Sequence, residues 1–126
     1  MLEIQAVDHY VILTPDVERS IAWYRDVLGL APDRYDEWKA GHAPFPSVRV
    51  NDGTVIDIFA GERDGRNVDH VCLVVAPTDL QALADSGRFD VVAGPGPRWG
   101  ARGMGTSLYV HDPDGNVVEL RHYGEA

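Results

Sequence analysis

The stretch Val7-Asp8-His9-Tyr10-Val11 opens an apolar run, and Val68-Asp69-His70 returns at the head of a second one. After the first copy come Pro15-Asp16 and a helical pattern; after the second come Pro77-Thr78-Asp79 and another. Each half then closes on an acid set in an apolar strand, Asp57 in Val55-Ile56-Asp57-Ile58-Phe59 and Glu119 in Val117-Val118-Glu119-Leu120. The spacing from histidine to acid differs by a single residue between the halves. The chain therefore reads as a duplicated unit, with two polar pairs at equivalent positions. A repeat of about 60 residues is marginal alone, so the two copies are expected to share one compact domain, with modules at 1–64 and 65–126.

In each copy the periodicity changes from strand to helix and back to strand. Residues 6 to 13 read as a buried strand in which Val7, His9, Val11 and Leu13 share a face. Asp16 is placed to cap a helix whose Ile21, Tyr24, Val27 and Leu28 recur at helical spacing before Gly29. Short strands are expected at 33 to 38 and 46 to 51, and Asn51-Asp52-Gly53 as a hairpin turn into a strand over 54 to 60. The polar run from Gly61 to Asn67 is the linker. The second copy opens with a strand over 68 to 75, then a helix with a capping box made by Thr78 and Gln81 that stops at Gly87. A strand near 89 to 93 leads to residues 94 to 105, so rich in glycine and proline that they read as an irregular loop and a candidate lid. Thr106 to His111, a turn at Asp112-Pro113-Asp114-Gly115 and a strand over 116 to 122 complete the unit.

Acids outnumber bases, 20 to 11, and the formal charge is −9. Such a surface repels nucleic-acid backbones and anionic membranes at long range. One cysteine, Cys72, allows no internal disulfide, and the first residues have neither the basic nor the apolar segment of a signal peptide. A cytoplasmic location is the expectation.

The order β-α-β-β-β, twice, with a histidine in each first strand and an acid in each last, resembles the vicinal oxygen chelate superfamily, which includes glyoxalase I, extradiol dioxygenases and bleomycin-binding resistance proteins. The likeness is carried by Val-Asp-His-Tyr-Val with Ser20-Ile-Ala-Trp-Tyr-Arg-Asp-Val-Leu-Gly29, by Val-Asp-His-Val-Cys-Leu, and by Leu108-Tyr-Val-His-Asp-Pro-Asp-Gly-Asn-Val-Val-Glu119. The glycine-rich loop and closing strand look like a glyoxalase-like, virulence-associated subgroup. The resemblance implies an α+β fold of two tandem βαβββ modules whose curved, open-barrel sheets form a cleft. It also implies a homodimer.

Two imidazoles and a carboxylate make a 2-His-1-carboxylate set, which holds Fe, Mn, Ni or Zn and leaves positions open for substrate oxygens. His9, His70 and Glu119 fit it. A lone histidine in an apolar strand is ordinarily a hydrogen-bonded core residue; the pairing at repeat-equivalent sites, with a strand glutamate costly to leave unpaired, favours the metal. Asp57 stands where glyoxalase I has a fourth ligand, but aspartate is a methylene shorter. A ligand, a catalytic base beside the metal, and a structural carboxylate meeting a lysine or arginine all remain open for it. Leu108-Tyr109, Asp112-Pro113, Gly115 and Glu119 match the extradiol signature, whereas its histidine is replaced by Gly100, Ala101 and Arg102. Tyr109 is a catalytic candidate or core packing. Trp38, Trp99 and Arg102 are candidates for binding substrate, an anionic one for Arg102. The expectation is a divalent-metal enzyme acting on a small oxygen-rich molecule; a metal-free protein that sequesters an aromatic or antibiotic ligand is the alternative.

Overall fold

The computed structural model of the chain describes every residue except 1, 2, 4, 6, 66, 67, 101, 125 and 126. The expected first position of the opening strand, the end of the linker at 66 and 67, and Ala101 lie outside the described residues. The described residues cluster into two compact units, Met1–Asp64 and Gly65–Ala126. Among them no helix is long and apolar enough to cross a membrane.

The first unit runs β1 (His9–Thr14), α1 (Val17–Asp26), β2 (Ala31–Asp33), α2 (Tyr35–Lys39), β3 (Ser47–Asn51) and β4 (Thr54–Ala60). Its sheet has the order β1-β4-β3-β2, with β1 and β4 parallel and the other pairs antiparallel. The Asp16 carboxylate accepts from the Arg19 amide at 3.0 Å and starts α1, which ends ahead of a left-handed Gly29. The helix buries Val17, Ile21 and Tyr24 against Ile12, Val48, Ile56 and Ile58. Strand alternation puts those sheet residues on the helix side, so His9, Val11, Leu13, Val55, Asp57 and Phe59 share the other face. The opening strand is thus buried on one face only: Val11 and Leu13 are exposed because no helix of their own unit covers that side.

The strand expected at 33 to 38 is instead the last residue of β2 followed by a short helix. Arg34 takes a left-handed φ of 59° that ends the strand, and Tyr35 and Trp38, one helical turn apart, bring their rings to 6.0 Å.

The second unit repeats the plan: β5 (Val71–Val74), α3 (Leu80–Asp85), β6 (Asp90–Gly100), β7 (Gly103–His111) and β8 (Val117–His122). Its sheet order β5-β8-β7-β6, with β5 and β8 parallel, matches the first. Val11 pairs with Asp57 and Cys72 with Glu119, each two residues past its histidine, so the two acids are equivalent in register as well as in sequence. Leu108, Val110, Val118 and Leu120 are buried on the face opposite Tyr109 and Glu119. The cap of α3 is Asp79, not Thr78: the Asp79 carboxylate accepts from the Ala82 amide at 3.0 Å, and Gln81 turns to Asp85 at 3.1 Å.

The irregular loop expected at 94 to 105 is a β-hairpin, with Trp99 opposite Met104 and Gly100 opposite Gly103. Proline is tolerated here because β6 is an edge strand. The pairing shifts register between Val91 and Gly96, and Gly94, at φ 84°, lies so close to β7 that an added Cβ would stand 2.6 Å from the Ser107 carbonyl oxygen. Arg121 on β8 then donates from Nη2 to the carbonyls of Arg98 and Trp99 at 3.1 and 3.0 Å, which anchors the hairpin. The turn at Asp112 forms as its sequence indicates, with the Gly115 amide on the Asp112 carbonyl at 3.1 Å and the Asp112 carboxylate accepting from the amides of Asp114 and Asn116.

Candidate functional site

In each unit the face away from the helix carries a histidine set between two carboxylates. His9 Nδ1 lies 2.7 Å from Asp8 Oδ2, and His70 Nδ1 lies 2.7 Å from Asp69 Oδ2. An ionised carboxylate only accepts, so each Nδ1 carries its proton and each Nε2 faces the second acid. In the first unit Nε2 is 3.8 Å from Asp57 Oδ2; in the second it is 3.1 Å from Glu119 Oε1. The His9–Asp8 hydrogen bond raises the His9 pKa, partly offset by desolvation.

The acids are fixed from behind. Asp57, 5 % exposed, takes the Ser47 hydroxyl on Oδ1 at 2.6 Å, and Arg34 Nη2 lies 3.4 Å from the same oxygen while donating to Ser47 Oγ at 2.7 Å. Glu119, 4 % exposed, takes the Ser107 hydroxyl on Oε2 at 2.6 Å and Arg121 Nε at 3.1 Å. Burial pushes the Glu119 carboxyl upward, but hydrogen bonds from Ser107, Arg121 and Tyr109 outweigh it, and the pKa falls below the ordinary glutamate value. In both acids one oxygen is occupied by serine and arginine and the other is turned to imidazole.

This donor set suits a divalent ion. Two ligand atoms about 2.1 Å from one ion and at right angles are roughly 3.0 Å apart. His70 Nε2 and Glu119 Oε1, at 3.1 Å, have that separation, and the carboxylate on each Nδ1 is the outer partner that orients a metal-binding imidazole. With Nδ1 protonated, the Nε2 lone pair meets a carboxylate lone pair, a repulsive contact that a proton or a cation between them relieves. His9 and Asp57, at 3.8 Å, are set wider. Within either unit, no third histidine, cysteine or acid among the described residues joins these pairs into a three-ligand group.

The Tyr109 ring meets His70 edge-on, with centroids 5.6 Å apart, and desolvation raises its pKa, so the phenol stays protonated at neutral pH. Trp38 packs half-buried beside the first core, Trp99 is 79 % exposed near the hairpin tip, and Arg102 stacks on Tyr123 at 4.3 Å. Desolvation and the neighbouring Glu119 carboxylate push the Cys72 thiol up to about 11. His111 Nδ1 lies 3.1 Å from Asp90. Ser47, Ser107, Arg34 and Arg121 escaped the sequence reading. Arg121, two residues after Glu119 on one strand, was accessible by alternation; the serines and Arg34 reach the acids only through pairing between strands.

Residues 6–120 match the model of the glyoxalase/bleomycin resistance protein/dioxygenase superfamily. A glyoxalase domain-containing protein, RDO1, of Mycosarcoma maydis is 30% identical over 130 residues, covering 99% of this chain and 72% of that protein. Virulence protein STM3117 of Salmonella typhimurium is 26% identical over 124 residues, covering 95% of this chain and 85% of that one. Among solved structures, an integron cassette protein from the mobile metagenome of V. cholerae superposes with a TM-score of 0.77 at 24% identity, over 98% of this chain and 99% of that one. A lactoylglutathione lyase from Agrobacterium tumefaciens does so with a TM-score of 0.65 at 17% identity, over 95% of both chains.

Proposed function

We propose, from the premise that this chain belongs to the glyoxalase/bleomycin resistance protein/dioxygenase superfamily, that it is a divalent-metal-dependent enzyme acting on a small molecule with vicinal oxygens. His9, His70 and Glu119 are the proposed ligands. The observation that carries the reading is the 3.1 Å approach of His70 Nε2 to Glu119 Oε1, each held from behind by a carboxylate or by serine and arginine. A bound divalent ion supplies Lewis-acid stabilisation of an enolate or oxyanion.

The chain's own groups divide the remaining work. Arg121, Ser107 and Tyr109 keep Glu119 ionised and fix its rotamer, with Oε1 turned to His70. Asp57 has its Oδ1 taken by Ser47, so Oδ2 is the oxygen that takes a proton from substrate. Tyr109, a neutral phenol beside His70, donates its hydroxyl hydrogen bond to the Glu119 carboxylate and so helps hold that acid beside bound substrate. The protein is proposed to work in the cytoplasm as a homodimer.

The test is metal content and affinity for Mn, Fe, Ni and Zn in wild type, Glu119→Gln and Asp57→Asn. Loss of the carboxylate at Glu119 is expected to remove metal, while Asp57→Asn retains it, because the shorter side chain, tied to Ser47, is a base and not a required ligand. Equal loss in both variants would make Asp57 a fourth ligand. No metal affinity in wild type, with an aromatic ligand still bound, would leave a sequestering protein.

A further inference from the structure

The second unit carries an open recess of about 330 Å³ beside His70, lined by Val92, Ala93, Arg98, Tyr109, His111 and Val117 among others. That is the low end of ligand cavities, roughly 300 to 1,000 Å³, and suits a molecule of one ring. Its charges are mostly internally matched. Asp69, also on the wall, binds His70 Nδ1, and His111 faces Asp90. Arg98 is the exception. Its Nη1 donates to the Pro97 carbonyl at 2.8 Å, and its guanidinium lies 5.6 Å from the Tyr109 ring centre and hydrogen-bonds the phenol, but among the described residues it has no carboxylate partner.

The chain has 20 acids and 11 bases. Arg25, Arg34, Arg49 and Arg121 are each paired with an acid. The backbone of Arg98 is also held in place, since Arg121 Nη2 binds its carbonyl. A positioned guanidinium on a wall shared with Val92, Ala93 and Val117 offers its remaining N–H groups to a carboxylate.

We infer that this recess binds an organic carboxylate of about one ring, its anion on Arg98 and its body against Val92, Val117 and the Tyr109 face. The inference deepens the function proposed above by naming the substrate class, and it rests on that reading for the reaction at the other end of the molecule. Arg102, stacked on Tyr123, lies outside the recess wall and serves as the comparison.

The experiment uses full-length protein freed of metal with chelator and titrated calorimetrically with benzoate and with benzyl alcohol. Wild type is expected to prefer benzoate by roughly tenfold or more, the worth of a charge-assisted hydrogen-bonded pair. Arg98→Gln is expected to abolish that preference, Arg98→Lys to keep part of it and Arg102→Gln to leave it unchanged. In wild type, benzoate is also expected to shift the ring resonances of His70, His111 and Tyr109, a readout that holds even if Arg98→Gln fails to fold. Equal affinities in wild type, absent ring shifts, a preference surviving Arg98→Gln, or one lost instead in Arg102→Gln would each overturn the assignment. A protein that prefers benzoate but takes up no divalent ion overturns the metal reading and leaves this one standing. Metal uptake without the preference does the reverse.

Discussion

Replacing Arg121 by methionine removes a cation that is 1 % exposed while leaving in place everything it neutralises. Glu119 keeps the hydroxyls of Ser107 and Tyr109 but loses its buried cation, and the carbonyls of Arg98 and Trp99 lose the donor at 3.1 and 3.0 Å. Breaking a buried ion pair from one side costs roughly 3 to 5 kcal/mol, because the remaining charge is stranded. Methionine restores most of the stem's packing, so about 3 kcal/mol is the expected loss. For a chain of this length that is a fall in Tm of about 10 °C. Equilibrium urea unfolding at neutral pH, followed by far-UV circular dichroism, measures it. The matching double variant, Arg121→Met with Glu119→Gln, removes both charges and is expected to be less destabilised than the sum of the single changes by about 1.5 kcal/mol or more. An Arg121→Met protein within about 0.5 kcal/mol of wild type, or strict additivity in the cycle, would refute the claim that Arg121 and Glu119 act as one unit.

Acid titration tests the same pair independently. The lowered Glu119 pKa means that its contribution to stability is fully present above the ordinary glutamate value and is lost as pH falls through the lower folded value. Wild type is therefore expected to lose stability more steeply than Glu119→Gln in that acid range, measured by urea midpoints at a series of pH values. Asp79→Ala is expected to cost about 1 kcal/mol in thermal or urea unfolding and Thr78→Ala nearly nothing, since Asp79 makes the cap bond; the opposite ranking would restore Thr78 as the cap. Gly94→Ala is expected to destabilise by about 1 to 3 kcal/mol, because the site combines a φ of 84° with a Cβ position 2.6 Å from the Ser107 oxygen. Slowed exchange of the Ser107 and Trp99 amides in that variant would contradict it.

What the sequence by itself determined is whatever a single segment's own periodicity and punctuation control. The repeated Val-Asp-His heads, the 3.6-residue pattern of Ile21 and Tyr24, the two-residue alternation of Val55 to Phe59 and the turn chemistry of Asn51-Asp52-Gly53 and Asp112 to Gly115 depend on neighbours in the chain. They specified a doubled α+β architecture, set His9 and each acid on one face of its strand, and placed His70 directly ahead of β5. Tertiary structure decided the rest, because its causes are distant in sequence. Ser47 reaches Asp57 through the β3–β4 register, and Ser107 reaches Glu119 across β7 and β8. Arg34 arrives from the left-handed junction after β2. Residues 94 to 105 read as irregular because glycine and proline lack strand propensity, yet the described residues among them form paired strands because β7 supplies the pairing and Arg121 supplies donors to the carbonyls of Arg98 and Trp99. Local propensity is worth tenths of a kcal/mol to about 1 kcal/mol per residue, and a buried guanidinium with a paired strand exceeds that.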